Sequence, residues 1–218
     1  MGSRGEVRRP RRGRADVGRL RDCKSGVSMV EFALALPVVM LVATGGLECA
    51  NVALAHLRIS QIATTSADTA ARVLTQMDET DIEEVFSGVE MMGARINFAA
   101  RGRVVLSSLE PNGKTGTSAG QKITWQRCYG SLAVNPSYGR QGAGANDATL
   151  ATGMGPAGRK ITAAPGTNVM FVEVTYQYQP LIYDVLNVGQ IRYEAAFNVR
   201  ERTSYDVTNS TSRAARTC

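Results

Sequence analysis

Gly26-Val27-Ser28-Met29-Val30-Glu31-Phe32 stands between an arginine-rich leader and an apolar run that ends at Leu47. From Val27 to Leu47 the only charge is the carboxylate of Glu31. A carboxylate near the start of a membrane-length segment is costly to bury and marks a functional position. The 21 residues from Val27 to Leu47 reach about 30 Å as a helix, the thickness of a bilayer's hydrocarbon core. Pro37 removes an amide donor inside the run and is expected to bend or loosen the helix there.

Charge sorts the chain into two parts. Residues 1–26 hold nine basic and three acidic residues, which accounts for the whole net charge of +6. Residues 27–218 are formally neutral. A basic flank beside an apolar run holds that end of a membrane helix inside the cell. Nucleic-acid binding is a poorer account, because the basic residues are not interleaved with aromatics and no binding fold follows. The leader has too few apolar residues to build a core and reads as disordered.

Helical periodicity continues past the apolar run. Val52, Ala55, Ile59, Ile62, Ala63, Ala70, Val73 and Met77 follow spacings of three and four. His56, Ser60, Thr64, Asp68, Arg72 and Gln76 lie opposite. That pattern predicts one helix from about Ser28 to Met77, with a lipid-facing first half and an amphipathic second half. Asp68 and Arg72 suit an i,i+4 ion pair, and His56 reads as a solvated residue. Asp78 or Thr80 is expected to cap a second helix over about 80–94.

Strand patterns follow. Arg103–Leu109 and Lys122–Cys128 predict a hairpin, with Ile123, Trp125 and Arg127 on one face of the second strand. Asn168–Tyr178 is the clearest strand, with Met170, Val172, Val174, Tyr176 and Tyr178 on one face. Leu181–Asn187 suggests a short helical turn. Ile191–Arg202 gives a further strand, with Ile191, Tyr193, Ala195, Phe197 and Val199 facing one way. Helices followed by antiparallel strands read as an α+β fold. The expected organisation is a leader over 1–26, a long helix over 27–77 and an α+β domain over 78–218.

Residues 129–166 are rich in Gly, Ala, Asn and Ser, as in a functional or disordered loop. They contain Gly153-Met154-Gly155-Pro156-Ala157-Gly158, a literal G-x-G-x-x-G. A dinucleotide site needs a buried strand before the glycines and a helix after them. Ala148–Thr152 is a poor strand and Pro156 interrupts the motif, so no cofactor is expected. No C-x-x-C pair occurs among the four cysteines, and His56 is the only histidine; no metal site is expected. Glu173 and Asp184 read as isolated surface or rim carboxylates. No catalytic residues are assigned, and the chain reads as a non-enzyme.

Three readings of the junction compete. Ala53-Leu54-Ala55 matches a signal-peptidase site, which would give a secreted protein beginning at His56. An uncut signal anchor gives a membrane-anchored binding protein. Cleavage after Gly26 leaves a new amino terminus at Val27, with Glu31 at position five. This last pattern, Gly26 followed by Val27-Ser28-Met29-Val30-Glu31-Phe32, resembles the G-x-x-x-x-E site of type IV prepilins. Continued through Ala33-Leu34-Ala35-Leu36-Pro37, it resembles the opening of TadE-like proteins. Ile123–Cys128 and Phe171–Tyr176 are similar to segments of the same family.

The resemblance implies a minor pilin or pseudopilin of the tight-adherence (Flp) pilus system, since the major pilins of that system are very short. It implies a prepilin peptidase, whose paired aspartates activate water, as the partner that cuts between Gly26 and Val27, next to Phe32 and Glu31. It also implies other pilins or pseudopilins and an assembly platform as partners, besides the lipid bilayer. Glu31 is the implied assembly charge, pairing with the free amine of a neighbouring subunit's Val27. The implied location is the bacterial inner membrane, amino terminus inside and domain in the periplasm. Cys128 and Cys218 would then share an oxidising compartment and are expected to form a disulfide.

Overall fold

The computed structural model describes residues 25–182, 186–199, 202 and 204–218. Most of the leader, with Cys23, therefore lies outside the described residues, as do Asp184 and parts of the predicted 181–187 turn and 191–202 strand. The chain divides into two units, Met1–Leu47 and Glu48–Cys218.

Helix α1 spans Ser25–Ala71 and runs unbroken through Pro37. Its side chains from Val27 to Leu47 are almost all exposed, with Leu34 at 72%. Beyond the apolar run the predicted stripe turns inward: Ala55, Ile59, Ile62, Ala63, Ala67 and Ala70 are buried. Alanines at so many of these positions let the helix backbone approach the sheet closely.

The helix stops six residues before the expected Met77. No Gly or Pro stops it; a long-range contact does. Arg202 donates to the carbonyls of Ala70 (2.8 Å) and Val73 (3.1 Å), satisfying acceptors that a helix end leaves open. Met77–Asp78 instead form strand β1, paired in parallel with β6, Val207–Thr208. Asp78 then caps helix α2, Glu79–Gly93, through a capping box with Asp81, a geometry that satisfies two orphan amides. The Asp68–Arg72 pair forms at 2.6 Å.

After a short helix α3, Phe98–Arg101, four strands follow: β2 Gly102–Pro111, β3 Gln121–Tyr129, β4 Val169–Gln177 and β5 Gln190–Asn198. They form one antiparallel sheet in the order β3-β2-β4-β5. The fold is α+β, as the sequence predicts. One face carries Val104, Leu106, Trp125, Met170, Val172, Val174 and Tyr176, packed with the buried stripes of α1 and α2. Burying a large side chain such as Trp125 or Phe86 contributes about 1.5–3 kcal/mol. The predicted faces of β4 and β5 are the observed ones.

The predicted face of β3 is not. Ser108 pairs with Trp125 but Leu109 pairs with Ile123, so Thr124 is an extra residue. This bulge turns Ile123 to the opposite face, where it joins Leu109, Leu150, Met154, Ala163, Val169 and Phe171 in a second core. Three of those residues belong to 129–166. The segment is thus an ordered cover over the sheet's second face. Its glycines serve that path. Gly153 and Gly155 have φ of +83° and +119°, and a Cβ there would meet the carbonyls of Ile161 and Arg159 at 2.0 and 2.5 Å. They shape a tight reversal in which Met154 bridges Ile161.

The carboxy-terminal tail is tied back at several points. Cys128 and Cys218 form a disulfide, and the Cys128 amide donates to the Arg216 carbonyl at 2.7 Å. Arg216 pairs with Glu83 on α2. Beside the disulfide, Arg127 forms a buried ion pair with Glu79, donating from Nε at 2.8 Å.

Candidate functional site

The amino-terminal unit offers one candidate site, the opening of α1. Gly26, Val27, Glu31 and Phe32 all lie on its first two turns and are exposed. A Cβ added at Gly26 would meet nothing within 4 Å. Packing among the described residues therefore gives no reason for glycine at this position. Among the described residues α1 is the one helix long and apolar enough to cross a membrane, consistent with a single-pass anchor. The Ala53-Leu54-Ala55 motif lies well inside the same helix, and Ala55 is part of the domain core.

The domain begins with a second carboxylate that the sequence reading passed over. Glu48, directly after the apolar run, is buried. The Tyr178 hydroxyl donates to its Oε1 at 2.6 Å and the Leu181 amide to its Oε2 at 3.0 Å. Asn51 Nδ2 in turn donates to the Tyr178 oxygen at 2.6 Å. Burial, then the hydrogen bond to Glu48, pushes the Tyr178 hydroxyl up to about 12. A signal was present in the sequence. Glu48 extends the stripe of Val52, Ala55 and Ile59 by one turn toward the amino terminus, and so belongs to the core face. Next to this cluster a cleft is lined by Asn51, Ala55, Arg95, Ile96, Asn97, Tyr176 and Leu181.

A second polar cluster sits on the opposite face of the sheet. Glu173 is buried, contrary to its reading as a surface or rim residue, because the 129–166 cover lies over it. Its Oε2 accepts from the Ser137 amide (3.1 Å) and Arg192 (2.7 Å), while Oε1 has no partner among the described residues. Burial raises its pKa. Arg192 also reaches Glu194, which accepts from the Tyr138 hydroxyl at 2.9 Å. A cleft of about 510 Å³ lies beside them, lined by Arg159, Ile161, Phe171, Arg192 and Glu194 among others. Its charged groups largely neutralise one another, an arrangement suited to fixing the cover.

His56 is likewise not simply solvated. It is half-buried, with Nδ1 3.2 Å from the Tyr193 hydroxyl on β5. Cys49 is an exposed free thiol. No group of three or more metal-ligating side chains occurs among the described residues.

Comparison with known proteins adds one match. Residues 26–72 match the family model described as TadE-like protein. The match starts on Gly26 and ends one residue past α1, so it covers the helix and not the sheet. No curated protein and no solved structure matches the chain.

Proposed function

We propose that this chain is a minor pilin or pseudopilin that supports assembly of Flp-type pili. The observation that carries the reading is the TadE-like match over 26–72, which opens on the same glycine that the basic leader and apolar helix frame. Such an opening associates the chain with the tight-adherence pilus system and, through it, with other pilus components and the membrane. α1 is the anchor, with the basic leader on the cytoplasmic side and the domain in the periplasm. A prepilin peptidase cuts after Gly26 and removes the charges that pin the helix. Glu31 then pairs with the new amino group of a neighbour's Val27, which lowers the cost of holding either charge in an apolar bundle. The domain acts as a structural subunit rather than as an enzyme.

Sequencing the amino terminus of the chain recovered from membranes tests this. Val27 is the expected first residue. A chain beginning at His56 would indicate an ordinary secretory signal, and an intact leader a plain signal anchor; either overturns processing at Gly26.

A further inference from the structure

We propose that the free edge of the sheet, β5, takes up an extended segment of a partner chain as a fifth strand, with a glutamate of that segment lying in the adjoining cleft against Arg159. The inference goes beyond the pilin reading and does not depend on cleavage at Gly26.

β5 stands at one end of the order β3-β2-β4-β5. Its register with β4 is unbroken from Val169–Asn198 to Gln177–Gln190. Two bonds at its ends fix which way the backbone groups point. The Val199 amide donates to the Asn168 carbonyl at 2.8 Å, and the Tyr178 amide to the Gly189 carbonyl at 3.0 Å. Bonded and non-bonded pairs alternate along an antiparallel ladder, so the odd-numbered residues of β5 bond to β4. Gln190, Arg192, Glu194, Ala196 and Asn198 turn their amides and carbonyls away from it. None of those groups has a further backbone partner among the described residues.

The opposite edge is covered. Along β3, Gln121 and Ile123 donate to the Leu150 and Ala143 carbonyls, and Cys128 to that of Arg216. A bare edge is a template for another strand, and proteins that avoid such pairing blunt it with lysine, proline or a bulge. β5 has none of these.

The two sides of β5 set the chemistry of the occupant. On the core side, Tyr193, Ala195 and Phe197 are only half-buried, and aliphatic side chains of an added strand would cover them. On the other side, the cleft of about 510 Å³ is lined by Ile161, Phe171 and Ala196, with Arg159 among them. Arg159 is exposed and joins no ion pair among the described residues. Arg192 and Glu194 are bonded to each other, and to Glu173 and Tyr138. A glutamate suits the remaining cation: its methylenes lie on the apolar lining while its carboxylate reaches the guanidinium. A second copy of this chain answers Arg159 less well, because the carboxylate on its β5, Glu194, is already held by Arg192 and Tyr138. The segment therefore alternates aliphatic and polar residues, with glutamate among the polar ones.

Peptide binding to the full chain in detergent micelles tests this. The probe is the capped peptide Thr-Val-Glu-Val-Thr-Val-Thr, and its control carries lysine in place of glutamate. Affinity is read by fluorescence anisotropy and backbone contact by hydrogen exchange. The glutamate peptide is expected to bind about ten-fold tighter than the lysine peptide, and Arg159→Ala to erase that difference. Binding should slow exchange of the Arg192, Glu194 and Ala196 amides, which exchange fast in the free chain. Ala196→Pro removes one outward donor without touching a bond to β4 and should weaken both peptides several-fold. If that variant unfolds, exchange in the unaltered chain decides. No binding of either peptide, binding that leaves those amides unprotected, or unchanged binding by folded Ala196→Pro overturns the strand addition. Equal affinity of the two peptides for the unaltered chain overturns the glutamate. Protection of the same amides in the chain alone, rising with its concentration, gives the edge to a second copy and overturns the proposal.

Discussion

Tyr178 and Glu48 meet across 130 residues of sequence, the hydroxyl donating to the carboxylate at 2.6 Å. Tyr178 directly follows β4, and Glu48 is the first residue of the second unit. Their bond ties the carboxy-terminal part of α1 to the end of β4. Tyr178→Phe leaves Glu48 buried with the Leu181 amide as its remaining donor. The expected cost is about 1–3 kcal/mol, the penalty for an under-satisfied buried acceptor, read as a lower thermal midpoint. The raised pKa sets a pH window. Stability from this hydroxyl is complete below about 10, its unfolded value, and is lost as pH rises toward about 12. An unchanged midpoint in Tyr178→Phe would mean that water replaces the hydroxyl at no cost.

Glu79 and Arg127 make a different kind of tie, an ion pair with both side chains almost fully buried. Arg127 also donates to the Gln126 carbonyl at 2.9 Å. Glu79→Ala strands a guanidinium in the core and should cost about 3–5 kcal/mol. Replacing both partners with methionine should recover most of that loss. Denaturant unfolding of the two variants decides the point: if the double variant is as unstable as the single one, charge pairing is not what holds α2 against β3.

How much of this was legible follows from the range of the interactions involved. The β4 face from Met170 to Tyr178 and the buried stripe of α1 were readable, because each is a local period imposed by one apolar surface. A cap at Asp78 or Thr80 was readable from local side-chain chemistry, and Asp78 is the residue that caps. The end of α1 was not, since Arg202 and Val207 set it from far along the chain. The reversal of Ile123 depends on a single extra residue, Thr124, in a strand that otherwise alternates. Glu173 looked exposed because a Gly-rich segment gives no periodic sign that it will pack as a cover. Glu48 carries a local sign: it sits on the core stripe one turn before Val52, where a carboxylate needs partners.

Acid should loosen the tail before it unfolds the sheet. The Asp78 carboxylate accepts from the Ser210 and Thr80 amides at 2.8 and 3.0 Å, and these bonds hold its pKa below the usual range, Ser210 contributing most. Arg216 lowers that of Glu83 in the same way. For a depressed carboxylate, the stability it contributes is present above its unfolded pKa of about 4 and lost as pH falls through the folded value. Hydrogen exchange should therefore quicken over 206–216 and at Met77–Asp78 between pH about 4 and 2, while β4 stays protected. Asp78→Asn should show faster exchange over the same segments at neutral pH. Simultaneous loss of protection in tail and β4 would argue that the tail is no separate unit.

Glu31 carries the last prediction, and its exposure in the single chain is the reason to make it. On the first two turns of α1 no side chain of the same chain satisfies the carboxylate among the described residues, and it lies within a run otherwise free of charge. A bilayer makes that arrangement expensive. The cost falls if a neighbour's amino group is brought beside it, and the proposed cleavage after Gly26 would create one on Val27. Glu31→Ala should leave cleavage largely intact, because the cut bond is four residues away and the flanking apolar segment is unchanged. Incorporation should fail instead. Co-purification of the processed chain with pilus components, measured beside its membrane abundance, separates the two steps. A processed Glu31→Ala chain recovered with those components at the level of the unaltered chain would remove Glu31 from assembly. Loss of cleavage in the same variant would move its role to recognition by the peptidase.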